Sequence, residues 1–234
     1  MDAKLYLIPN LLGESSINAV LPANINQIIA SIKHYIVEDE RTVRRFLKKI
    51  DSGIQIDELT FYVLNKQTKK NELSEFLKPL KDGFSVGIIS EAGVPGVADP
   101  GAEIVSIAHE MNICVVPLVG PSSILLSLMA SGLNGQNFAF IGYLPIKQVD
   151  RIRKIKQIES RSSLEKQTQI FIETPYRNMQ LLEDLVKTCY HGTRLCIAAN
   201  ITTSNEFIKT KTVAYWKNNL PDLHKQPAIF LLLK

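Results

Sequence analysis

The feature that most constrains this chain is its rhythm. Apolar runs too short for anything but strands alternate with helix-length segments through the first half of its 234 residues. Leu5–Ile8, Tyr35–Val37, Phe61–Leu64, Phe84–Ile89 and Ile113–Pro117 read as strands. Helices are expected near Ile25–Ile32, Glu40–Ile50, Leu73–Leu80 and Ala102–Met111. A parallel crossover needs a dozen or more residues, and a helix fills that length, so this alternation predicts a mostly parallel sheet covered on both faces. Asp99 is read as N-cap of the helix at Ala102–Met111, with Pro100 in its first turn and Ile104, Ile107, Ala108 and Met111 on one face.

The rhythm changes in the second half. A helix near Ser123–Ser131 leads to a strand at Phe138–Tyr143, a basic helix at Lys147–Ile158, a strand at Gln169–Ile172 and a helix at Met179–Thr188. Three strand-like segments then follow with no long helix between them: Leu195–Ala199, Phe207–Ala214 and Ala228–Leu233. Adjacent strands without crossover helices pair antiparallel, so this sheet is expected to be mixed. The chain reads as two α/β domains, residues 1–117 and 118–234.

Apolar residues make up 45% and charged residues 21%, enough to bury a core in each domain. No apolar run approaches the ~18 residues of a spanning helix, and the opening residues lack the apolar stretch of a secretory signal. Cys114, Cys189 and Cys196 form no CxxC pair, and Cys114 lies in what reads as a buried strand; reduced core thiols and a cytoplasmic protein are expected. The four histidines lack metal-ligand spacing, so no metal is expected. A net charge of +4 permits an anionic partner without demanding one.

Two loops carry the chemistry. Ser90–Gly101 (SEAGVPGVADPG) joins a strand to a helix, which puts it at the carboxyl end of a sheet, where open α/β folds bind ligands. Its glycines and prolines fix the backbone and let a ligand approach the amides. Val116–Ser123 (VPLVGPSS) again joins strand to helix, with serine hydroxyls and free helix N–H groups suited to a carboxylate or a ribose. Neither has the GxGxxG or GxxxxGK[ST] spacing, which disfavours dinucleotide and P-loop chemistry.

Together these loops resemble the signature of the tetrapyrrole methylase superfamily of S-adenosylmethionine-dependent methyltransferases. Within it they are similar to the ribosomal RNA small subunit methyltransferase I branch, which methylates a cytidine 2′-hydroxyl of 16S rRNA. Ser90–Gly101 matches that branch's S-D-A-G-x-P-x-x-x-D-P-G, and Gly120–Ser123 its G-P-S-A. Val37-Glu38-Asp39-Glu40-Arg41, continuing to Arg44-Arg45, resembles A-E-D-T-R-x-x-R-R. Phe140–Lys147 resembles F-x-G-F-L-P-x-K, and Phe171–Arg177 resembles F-Y-E-S-P-H-R. The likeness runs over roughly residues 4 to 232. It departs at Pro9–Ser15, where only Gly13 of the branch's opening loop is kept, and at Glu91, where aspartate is usual. It departs again at Ala198-Ala199-Asn200, which lacks the arginine and carboxylate of A-R-E; the branch's small C-terminal extension has no counterpart after the last strand.

The resemblance implies S-adenosylmethionine as cofactor, held between two domains largely by main-chain groups. Carried over by position, Glu91, Gly93, Val94, Ser122, Ser123, Glu173 and Ala198 would line it. A hydroxyl acceptor needs its proton removed, which makes Glu38, Asp39, Arg41, Glu173 and Arg177 the candidates for base or anion-stabilising cation. Glu38-Asp39 can equally cap the following helix, and Arg177 can pair with Glu173. Arg41, Arg44 or Arg45, and Lys48 share a helix face, and Lys147, Arg151 and Lys154, with Arg153 and Lys156, make a second basic cluster; either can meet RNA phosphates. The resemblance further implies a homodimer with rRNA as partner. A methylase of small molecules such as tetrapyrroles, or a non-catalytic S-adenosylmethionine-binding relative, stays compatible with these residues.

Overall fold

The computed structural model describes residues 3–65 and 68–234. The chain divides into two compact units between Ser122 and Ser123, a few residues beyond the boundary read from the sequence.

The first unit holds β1 (Lys4–Ile8), α1 (Ile17–Val20), α2 (Ile25–Ala30), β2 (His34–Val37) and α3 (Glu40–Ile50). It continues with β3 (Thr60–Val63), α4 (Lys70–Phe76), α5 (Lys78–Lys81), β4 (Val86–Ile89), α6 (Gly101–Glu110) and β5 (Cys114–Pro117). The five strands form one wholly parallel sheet in the order β3-β2-β4-β1-β5. Alternate side chains serve opposite faces. Ile8, Tyr35, Val37 and Ile89 pack with α2 and α3 through Ile25, Ile29, Val43, Phe46 and Leu47. Leu5, Ile36, Val86 and Ile88 pack on the other face with Leu73, Leu77, Leu80, Ile104 and Ala108 of α4, α5 and α6. The segment expected as one helix over Leu73–Leu80 is two, because Pro79 has no N–H to continue the ladder past Leu77.

Helix α6 starts one residue earlier than expected, and its N-cap is Pro100 rather than Asp99. Asp99 instead closes the loop onto the helix, its Oδ1 accepting from the N–H of Gly96 at 2.7 Å and of Gly101 at 2.8 Å. Cys114 is exposed, which corrects the expectation of a buried thiol. Its strand β5 is the sheet's edge and, among the described residues, has a neighbour only in β1.

The second unit holds α7 (Ser123–Ser131), β6 (Phe138–Tyr143), α8 (Gln148–Glu165), β7 (Thr168–Ile172) and α9 (Asn178–Thr188). After these come β8 (Arg194–Ala199), β9 (Phe207–Thr212), α10 (Val213–Trp216) and β10 (Ala228–Leu233). The sheet runs β6-β7-β10-β8-β9; β6 and β7 are parallel and every other pair is antiparallel, a mixed sheet. Phe171, Leu195, Ile197, Phe230 and Leu232 point to one face, where Ile155, Ile158, Leu181, Leu182 and Leu185 of α8 and α9 cover them. The strand expected over Phe207–Ala214 ends at Thr212. The Thr212 side chain accepts from Tyr215 N–H and caps the short α10, whose Val213 and Trp216 turn into the core.

The basic cluster read on α8 loses one member. Arg151 is 1% exposed, donates through Nε and Nη2 to Asp184 Oδ2 at 2.8 and 2.6 Å, and reaches the Ile146 carbonyl at 2.6 Å. It bolts α8 to α9 and offers nothing to a phosphate. Among the described residues no helix is long and apolar enough to cross a membrane.

Candidate active site

In the first unit the helices after β1 and β2 pack on one face of the sheet, and the helix after β4 packs on the other. Because β4 lies between β2 and β1, the chain parts to opposite sides at the carboxyl ends of these three strands, the position at which α/β sheets take ligands. The loop Ser90–Gly101 leaves β4 at that point, flanked by the loops that leave β1 and β2.

Asn10 ties the β1 loop to it. Its N–H donates to the Gly93 carbonyl at 2.8 Å and its carbonyl accepts from Gly93 N–H at 3.2 Å. Asn10 Nδ2 donates to the carbonyls of Ser90 and Glu91, each at 3.1 Å, and Ser90 Oγ adds a bond to the Gly93 carbonyl at 2.8 Å. Gly93 has a φ of +73°, a conformation that costs a residue with a Cβ about 1–2 kcal/mol. Both of its main-chain groups are engaged by Asn10, so it shapes the loop. Val94 follows, half-buried, and its N–H and carbonyl have no hydrogen bond among the described residues. Asn10 lies in the segment where the resemblance fails, and no motif marked it; the signal was a lone Asn after a strand, suited to bonding nearby backbone.

Glu38 and Asp39 follow β2 and part company. Asp39 caps α3: Oδ1 accepts from Thr42 N–H at 2.7 Å, and that bond, with Arg41 and Arg45 nearby, holds its carboxyl below the usual range. The helix-cap reading holds for Asp39 alone. Glu38 turns toward the β4 loop and accepts from the main-chain N–H of Glu91. Burial, followed by the charges of Asp99 and Glu91, pushes its carboxyl above the ordinary value. Asp99 is likewise raised by burial, against the pull of its two N–H donors. Glu38 is thus a half-buried carboxylate with a raised pKa at the carboxyl end of β2, beside the β4 loop.

On α3 the basic face thins out. Arg44 pairs with Glu40 at 2.7 Å, and Lys48 donates to the carbonyls of Ser52 and Ile54. Arg41 and Arg45 are exposed and have no salt bridge among the described residues. Gly120 has a packing role: a Cβ there would overlap the ring of Pro9. Ser122 ends the first unit.

In the second unit Ser123 opens α7, and Ala198 is fully buried in β8, paired with Ile229 of β10 and Ile208 of β9. Glu173 follows β7 with its side chain wholly covered; Oε1 accepts from Thr174 N–H at 2.7 Å and from Arg177 Nη2 at 2.6 Å. That bond raises the Arg177 pKa further. The pairing read from the sequence is therefore present, but it leaves Glu173 Oε2 and Arg177 Nε buried without partners among the described residues. Buried polar atoms stay in that condition only where something completes them, a water or a ligand. Asn200, in place of the branch's carboxylate, donates to Gln226 Oε1 at 2.7 Å, a bond a carboxylate could not donate.

No family model matches the chain. Among solved structures it is similar to the methyltransferase CobJ, with a TM-score of 0.66 at 14% identity over 99% of this chain and 94% of that one. It is similar also to uroporphyrin-III-C-methyltransferase from Thermus thermophilus, with a TM-score of 0.57 at 18% identity over 100% and 93%. The fold is that of the tetrapyrrole methylases. In sequence it is 30% identical over 207 residues to ribosomal RNA small subunit methyltransferase I of Escherichia coli O157:H7, covering 88% of this chain and 68% of that protein. It is 29% identical over 210 residues to the protein of the same name from Vibrio cholerae, covering 90% and 69%. The chain belongs to the ribosomal RNA small subunit methyltransferase I family.

Proposed function

We propose that this protein moves a methyl group from S-adenosylmethionine to a ribose 2′-hydroxyl of small-subunit rRNA, a cytidine by resemblance, in the cytoplasm and as a homodimer. The observation that carries the reading is Glu38: a carboxylate held above its usual pKa, beside the β4 loop, at the carboxyl ends of β2 and β4.

The residues present suit the cofactor. The open main-chain groups of Val94 and the exposed carboxylate of Glu91 offer a donor and acceptors for a nucleoside, and Gly93 keeps the loop in the shape that presents them. Ser122, Ser123 at the start of α7, Glu173 with an Oε2 that has no partner among the described residues, and Ala198 are the other proposed contacts. When bound, S-adenosylmethionine supplies an electrophilic methyl on a cationic sulfur. Glu38 takes the proton of the attacking hydroxyl, and Arg41 and Arg45, in the first two turns of α3, attract the phosphates beside that ribose. Asp39 positions α3 through its cap, and Arg177 holds Glu173 in place.

The test is transfer of labelled methyl from S-adenosylmethionine to 30S subunits or to their isolated rRNA. Label in a ribose 2′-O-methyl group is expected. Label in uroporphyrinogen with none in any RNA would overturn the reading.

A further inference from the structure

Charge is unevenly spread in the second unit. From Tyr190 to Lys234 six lysines and arginines stand against Glu206 and Asp222, so this stretch carries a balance equal to the whole chain's net +4. Strand β9 is the sheet's edge, and Lys209 and Lys211, two residues apart, lie on the same side of it. Both ammonium groups converge on Tyr215 of α10. Lys209 Nζ donates to the Tyr215 hydroxyl at 3.0 Å and sits 5.1 Å from the ring centroid, and Lys211 Nζ sits 5.5 Å from it. Tyr215 is itself braced edge-on against the buried Trp216 at 5.3 Å, whose Nε1 donates to the Leu195 carbonyl at 2.9 Å. Neither lysine forms a salt bridge among the described residues; Glu206 is turned to Thr202 N–H instead.

Two cations gathered on one rigid ring, with no carboxylate between them, repel each other and leave positive charge uncompensated. A surface of this kind gains from an anion that spans both groups, and a chain of phosphates does so. We infer that Lys209, Lys211 and Tyr215 form an anchoring surface for the phosphate backbone of the RNA substrate. This inference rests on the RNA reading above. The competing role is edge protection: lysines on an exposed edge strand block pairing with another chain.

The experiment measures binding of the full chain to a fluorescent single-stranded oligoribonucleotide of small-subunit rRNA sequence over a range of salt. Wild type is compared with Lys209→Gln/Lys211→Gln and with Lys209→Arg/Lys211→Arg. Loss of two phosphate contacts is expected to lower the slope of log K against log salt by about 1.4 and to weaken Kd about tenfold near physiological salt. The arginine pair should keep both, and S-adenosylmethionine affinity should not move. In wild-type protein, RNA should shield Lys209 and Lys211 from acetylation, a readout that does not depend on a variant folding. Wild type that methylates RNA while the glutamine pair binds it unchanged, or while both lysines acetylate equally with and without RNA, overturns the inference alone. A glutamine pair that self-associates with undiminished RNA affinity assigns the lysines to edge protection. Wild type that transfers no methyl to RNA overturns the underlying reading instead.

Discussion

Asn10 and Gly93 clasp each other by paired main-chain hydrogen bonds, and the Asn10 amide goes on to hold the carbonyls of Ser90 and Glu91. One side chain thus joins the ends of two adjacent parallel strands just where the sheet opens. Asn10→Ala leaves two carbonyls short of a donor, one of them in a buried bond, and is expected to cost about 1–3 kcal/mol in urea unfolding. It should also weaken S-adenosylmethionine binding by calorimetry. Unchanged stability and affinity together would remove Asn10 from the site.

Glu38→Gln keeps the shape and removes the base. Methyl transfer should slow by about 100- to 10,000-fold, with the KM for cofactor little altered. In wild type the rate should fall as pH drops through the Glu38 pKa, which lies above the ordinary glutamate value because burial and the neighbouring charges disfavour its ionised form. The same shift destabilises the fold as pH rises from the unfolded glutamate value through the raised one, so Glu38→Gln should be no less stable than wild type at neutral pH. An unshifted acid limb, or a fully active variant, would contradict the assignment.

Gly120→Ala tests a packing role inside a motif that looks ligand-directed. Its methyl would overlap Pro9, at the end of β1, and relief requires the two loops to separate. A loss of about 1–3 kcal/mol is expected in thermal or denaturant unfolding. A neutral result would show that Pro9 gives way freely.

Arg151 and Asp184 are 1% and 2% exposed, and Gln148 adds a bond to Asp184 Oδ1 at 2.9 Å. Removing one partner strands a buried charge, so Arg151→Met should cost about 3–5 kcal/mol. Arg151→Met/Asp184→Leu should recover most of it. Equal losses in the single and double variants would mean that the ion pair itself, and not the stranded charge, sets the cost.

The three thiols should react at very different rates in the native protein. Cys114 is exposed on an edge strand, whereas Cys189 is buried with its pKa pushed to about 12 and Cys196 is buried with its pKa raised. A thiol reagent with mass-spectrometric readout should label Cys114 first and the others only on unfolding. Early labelling of Cys196 would indicate that β8 opens locally.

Much of the architecture was legible because period and length are local properties. Helix α3 over Glu40–Ile50, α7 over Ser123–Ser131, β6 and β10 lie where the apolar pattern put them. The pattern erred where the cause was not local. Leu73–Leu80 reads as one amphipathic segment, yet Pro79 divides it. Arg151 reads as a solvated cation because Asp184, its partner, is on another helix. Cys114 reads as core because a run of Ile, Cys and Val looks buried in any strand, and only strand order reveals an edge.

By itself, then, the sequence determined the units of structure, the two loops and the family, since each is written in consecutive residues. The tertiary structure decided which groups meet. Asn10 reaches Gly93 across 83 positions, Glu38 turns to Glu91 while its neighbour Asp39 turns to a helix end, and two lysines find one tyrosine. Hydrogen bonds and desolvation act through space over a few ångströms, and strand order, which brings those ångströms about, is settled only when the whole sheet packs.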